Sequence, residues 1–155
     1  MSRLARILII VAVAAGALVA AYLLILKSSD SSTYYEYATY TELKRDTGVQ
    51  AASVPEFVPR SARNISGWYN VDANIQALEF AFDRSEQADV VRRFQRATGD
   101  AGREVERKLR GYRWKDAFPE GSGLVAFTGH EEGSQFLIVD ERNGRAYYAV
   151  EPSKK

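Results

Sequence analysis

The chain has 155 residues, a formal net charge of +1, no cysteine and one histidine. That length holds one domain with an appendage, and not two full domains. Without cysteine there are no disulfides, iron–sulfur clusters, thiolate zinc sites or cysteine nucleophiles, and one histidine excludes a His-rich metal site in a single chain. A near-neutral total argues against nucleic acid as the partner.

The first six residues carry Arg3 and Arg6 and are expected in the cytoplasm. Residues 7–26, ILIIVAVAAGALVAAYLLIL, hold no charge, and a helix of that length spans about 30 Å, the core of a bilayer. A cleaved signal peptide is the alternative, with Val19-Ala20-Ala21 imitating its small-residue site. The apolar run continues through Tyr22-Leu23-Leu24-Ile25-Leu26, so an uncleaved transmembrane anchor is expected. The basic residues before it put the N-terminus in the cytoplasm and the remaining chain in the periplasm. The expected location is thus a bacterial inner membrane, crossed once. Residues 28–155 carry 18 basic and 20 acidic side chains, a net of −2 outside the anchor.

Residues 27–53 read as a juxtamembrane linker with a short helix over Thr39–Asp46. Tyr34, Tyr35, Tyr37 and Tyr40 stand close to the expected membrane exit. They suit the headgroup level, where a ring with one polar end is favoured, or they belong to the packed domain. Two prolines, Pro55 and Pro59, then forbid a regular helix and fix an extended strap.

The domain proper is expected over 54–152, with a tail at 153–155. Arg63–Val71 and Ile75–Phe82 read as strands joined at Asp72-Ala73-Asn74, the second alternating Leu78, Phe80 and Phe82 with other residues. A helix is expected from Asp83 to Gly99 and a shorter one up to Arg110. Three strands follow: Gly123–Thr128, Ser134–Asp140 and Arg145–Val150. Asn143-Gly144 predicts a type I′ hairpin between the last two. The order is β-β-α-α-β-β-β, an α+β fold with a mainly antiparallel sheet and helices on one face.

No motif carries a reaction. His130-Glu131-Glu132 lacks the second histidine of a zinc-protease helix, and Asp72 and Asn74 are explained by a turn. Gly121-Ser122-Gly123 lacks the nucleophile-elbow spacing. No cofactor is expected. Within 84–116 there are ten basic and six acidic residues. Arg92, Arg93, Arg96, Arg103, Arg107 and Arg110, with Tyr112 and Trp114 interleaved, form a candidate interaction surface for an anionic envelope surface or an acidic partner. Asp89/Arg93, Glu104/Lys108 and Glu106/Arg110 are spaced as i,i+4 pairs, which equally suits a solvated helix surface.

The stretch Val54-Pro55-x-x-Val58-Pro59-x-Ser61-Ala62-x-Asn64-Ile65, followed by Asp72-x-Asn74 and a strand, resembles a pattern in uncharacterised bacterial cell-envelope proteins, small lipoproteins or singly anchored. The resemblance spans about 30 residues and departs in having an anchor but no lipobox cysteine. It implies a bacterial envelope location and brings no catalytic residue. The expected function is a non-catalytic, membrane-anchored periplasmic domain that binds another envelope component. An immunity or inhibitor protein, and an envelope hydrolase using carboxylates, are the alternatives.

Overall fold

The computed structural model describes residues 16, 18, 19, 22, 32–46, 54–112, 123–129 and 133–152. The chain divides into two compact units, Met1–Ser31 and Ser32–Lys155. In the first, Gly16, Leu18, Val19 and Tyr22 are helical and exposed. The rest of the expected anchor lies outside the described residues. Among the described residues no helix is long and apolar enough to cross a membrane.

The second unit is built on a seven-stranded sheet. Its elements are β1 (Ser32–Thr39), α1 (Tyr40–Arg45), β2 (Arg63–Asn70), β3 (Ile75–Ala81), a 3₁₀ turn (Arg84–Glu86), α2 (Gln87–Val91), β4 (Gln95–Ala97), α3 (Gly99–Leu109), β5 (Leu124–Gly129), β6 (Ser134–Asp140) and β7 (Arg145–Glu151). The strand order is β1-β2-β3-β7-β6-β5-β4, and every pairing is antiparallel. The β3–β7 pairing joins an N-terminal half of three strands to a C-terminal half of four.

Strand alternation sorts the apolar residues onto two faces. On one face Ile65, Leu78, Phe80, Leu137, Val139 and Tyr148 form a core with Leu43 of α1, Val54 and Val58 of the strap, and Val90 of α2. Phe57 of the strap packs there too, its ring 5.0 Å from both Phe94 and Tyr148. On the other face Ala77, Ile138, Tyr147 and Ala149 pack against Val105 and Leu109 of α3.

Helices therefore cover both faces, not one as expected. β3, β6 and β7 have apolar residues on each side, and such strands need a layer on each. The sheet also begins at Ser32, inside the segment read as linker. Tyr35 is the reason it holds there: it is 6% exposed and lies directly over Gly67. A Cβ at Gly67 would sit 2.1 Å from the Tyr35 ring, so a larger residue there has to displace that buried ring.

The helix expected from Asp83 to Gly99 is broken up. A 3₁₀ turn and the five residues of α2 bury Val90, after which Gln95–Ala97 pair with Thr128–Ala126 of β5. The Asn143-Gly144 turn also differs. Asp140 pairs with Arg145, leaving a four-residue loop in which only Gly144, at φ 59°, is left-handed. The Asp140 carboxylate shapes that loop by accepting from the backbone N–H groups of Arg142 and Asn143 and from Asn143 Nδ2. The β2–β3 loop repeats the device: Asn70 Oδ1 accepts from the Ala73 N–H, and Asn74 has φ 49°.

Candidate binding face

On the α3 side, antiparallel register sets side chains in rows across the sheet. Tyr34 opposes Trp68, which opposes Ala77, which opposes Ala149. The next row runs Glu36, Ser66, Glu79 and Tyr147. In the row beyond, Ala81 opposes Arg145, which opposes Asp140. α3 packs on β5 and β6, with lesser contacts to β4 and β7. Its cover reaches Ala77 of β3, which packs with Val105 and Leu109, while Tyr34, Glu36 and Ala38 of β1 and Asn64 of β2 are exposed.

The uncovered part has an aromatic end and a polar end. Tyr34 is 54% exposed, and its ring lies 6.4 Å from that of Trp68 at a tilt of 42°. Trp68 is half-buried, with Tyr112 6.0 Å away on its other side. The Trp68 Nε1 is buried and has no hydrogen-bond partner among the described residues. Beside this pair lies a shallow depression of about 350 Å³, lined by Glu36, Tyr37, Ala38, Asn64, Ile65 and Ser66. The small side chains of Ala38 and Ser66 leave the space. Asn64 is exposed and left-handed at φ 50°, a conformation that asparagine tolerates better than most residues.

Two carboxylates, Glu36 and Glu79, stand in one row on this side. Glu79 is largely covered, with 16% of its side chain exposed, and Arg145 Nε stands 3.5 Å from its Oε1. Burial pushes its carboxyl pKa up, and Arg145 partly offsets that. Burial likewise raises the Tyr147 phenol, whose neighbours include Arg145 and Glu79. The Tyr112 hydroxyl donates to Glu151 at 3.0 Å, and its pKa is raised by burial first and then by that carboxylate.

The residues singled out from sequence fall as follows. Tyr35 is core. Tyr37 is half-buried and donates its hydroxyl to Asp46, the main reason its pKa is pushed up to about 12. Tyr40 packs partly buried against the same core, and only Tyr34 is widely exposed. The basic residues do not share one surface. Arg92 and Arg93 follow α2, Arg96 is on β4, and Arg103, Arg107 and Arg110 are on or just past α3. Arg92 pairs with Asp89, Arg93 with Glu56, Arg103 with Asp100, Arg107 with Glu104, Arg110 with Glu106, and Lys108 with Glu151. Of the three i,i+4 pairs read from sequence, Glu106–Arg110 is formed; Lys108 reaches across to β7 instead. Trp114 and His130-Glu131-Glu132 lie outside the described residues.

Sequence reading missed Glu36, Ser66, Trp68 and Glu79. Each is unremarkable in its own strand, and only the long-range register of β1 on β2 and β2 on β3 assembles them. No curated protein and no solved structure matches the chain. A family model described as the YbbD head domain, a bacterial family, matches residues 31–81, which is the stretch from β1 to β3 that carries this face.

Proposed function

We propose that this chain is a membrane-tethered, non-catalytic module of the bacterial cell envelope. In this reading Ile7–Leu26 crosses the inner membrane once, with the N-terminus in the cytoplasm, and the sheet domain binds another envelope component in the periplasm. The anchor rests on the uncharged apolar run and the bacterial setting on the family match over 31–81. The observation that carries the binding reading is the half-covered sheet face. α3 closes the β5–β6 side of it, while β1 and β2 present Tyr34, Glu36, Ala38 and Asn64 exposed beside a depression. A tilted aromatic pair next to a polar hollow is a surface for recognition rather than for core packing.

Two measurements test it together. Protease added to spheroplasts digests the domain, and tagged full-length protein solubilised from native membranes retains an envelope component. A Tyr34→Ala/Ala38→Gln variant loses that component while staying folded. A protected domain overturns the topology, and equal retention by the variant overturns the assignment of the face.

A further inference from the structure

We propose that the uncovered face over β1 and β2 is a carbohydrate-binding site, taking one ring of an uncharged oligosaccharide, plain or N-acetylated. This rests on the binding-module reading above and names the chemical class of what is bound.

A volume of about 350 Å³ is at the small end of ligand sites, which run from roughly 300 to 1,000 Å³. It suits a single ring with its neighbours continuing over the flat sheet. Chemistry narrows the ring further. One face of a pyranose is made of C–H bonds, which meet the electron-rich face of an aromatic ring favourably. Tyr34 and Trp68 offer such rings, with Tyr34 widely exposed. The hydroxyls of a sugar need hydrogen-bond partners at the same time. Glu36 accepts, while Asn64 and Ser66 both donate and accept; all three line the depression, Glu36 and Ser66 one row from the aromatic pair and Asn64 two.

Charge argues against the other ligand classes. Glu36 and Glu79 share the row through Ser66, so a phosphate or an anionic lipid headgroup meets like charge here. The cations nearest the depression already face carboxylates of this chain: Arg145 stands beside Glu79, and Arg63, opposite Ala81, pairs with Asp83. A cationic ligand finds Glu79 already facing Arg145 at 3.5 Å. An uncharged polyol with an apolar face meets none of these objections.

The chain holds two tryptophans, so a Trp114→Phe background leaves Trp68 as the sole tryptophan, excited selectively at the red edge of the tyrosine absorption. The full-length protein in a zwitterionic, sugar-free detergent is titrated with chitotetraose, the tetramer of N-acetylglucosamine. The expected result is a saturable change in Trp68 emission, with magnetisation transferred from the protein to sugar ring protons. Tyr34→Ala and Ala38→Gln, both at exposed positions, each weaken binding about tenfold or more with the melting temperature unchanged. No saturable response from the parent protein, or full affinity in both variants, overturns the carbohydrate assignment. If the tetramer gives no response while Tyr34→Ala/Ala38→Gln still loses the envelope component, the sugar is wrong and the binding module stands. If neither depends on these residues, both readings fall.

Discussion

Glu79 sits where burial and charge pull in opposite directions. It occupies the centre of the sheet, on β3 next to the β7 seam, with Tyr147 opposite and Ser66 on its other side. Burial raises its carboxyl pKa, and Arg145 only partly compensates. The carboxyl therefore holds its proton more tightly folded than unfolded. Its contribution to stability is complete below the unfolded value, near 4.5, and is lost as pH rises through the raised folded value. Glu79→Gln keeps the shape and removes the ionisation. The variant is expected to gain melting temperature relative to the parent at pH 7.5 and to show little or no gain at pH 4, read from paired thermal melts. An identical difference at both pH values would show that Glu79 does not titrate against folding.

Among the elements, α1 and the strap show how short pieces are held by a few side chains. A six-residue helix is far below the length that is stable alone. Thr39 caps it, its hydroxyl accepting from the Glu42 N–H, while the Glu42 carboxylate accepts from the Ala38 N–H. Leu43 is its one buried residue and is fully enclosed. Leu43→Ala is expected to cost about 2–5 kcal/mol in a chemical denaturation curve. A cost under about 1 kcal/mol would place α1 outside the cooperative unit. The elements that sequence revealed and those it hid differ in a physical way. β2, β3, β6 and β7 alternate or run apolar between Asn- and Gly-containing loops, so local pattern suffices. β4 is three residues, Gln-Arg-Ala, that would suit a helix and become a strand only by pairing with β5. β1 reads S-T-Y-Y-E-Y-A-T beside an apolar run, where a tyrosine belt and a strand predict the same letters.

At the scale of the whole molecule, the binding face illustrates why sequence falls short: its rows join Tyr34 to Trp68 and Glu36 to Ser66, positions thirty or more apart. The same long-range pairing decides where the domain begins. A reading from local pattern starts it at residue 54, whereas the compact unit starts at Ser32 and uses β1 as a full eight-residue strand. The two boundaries predict different behaviour on truncation. A chain of residues 28–155 keeps β1 and its Tyr35 over Gly67, and is expected to be soluble with one cooperative melt. A chain of residues 47–155 loses β1 and α1, and with them the buried Tyr35 and Leu43. Removing one buried aromatic side chain alone costs on the order of 3–5 kcal/mol, which for a domain near this size is a drop of about 10 °C or more. It also leaves β2 as a bare edge carrying Ile65 and Trp68, which invites association through that edge. Melting temperature and light scattering of the two chains decide between the boundaries. Equal stability would make β1 an ornament of the fold, whereas aggregation of 28–155 itself would deny the domain its independence from the first 27 residues.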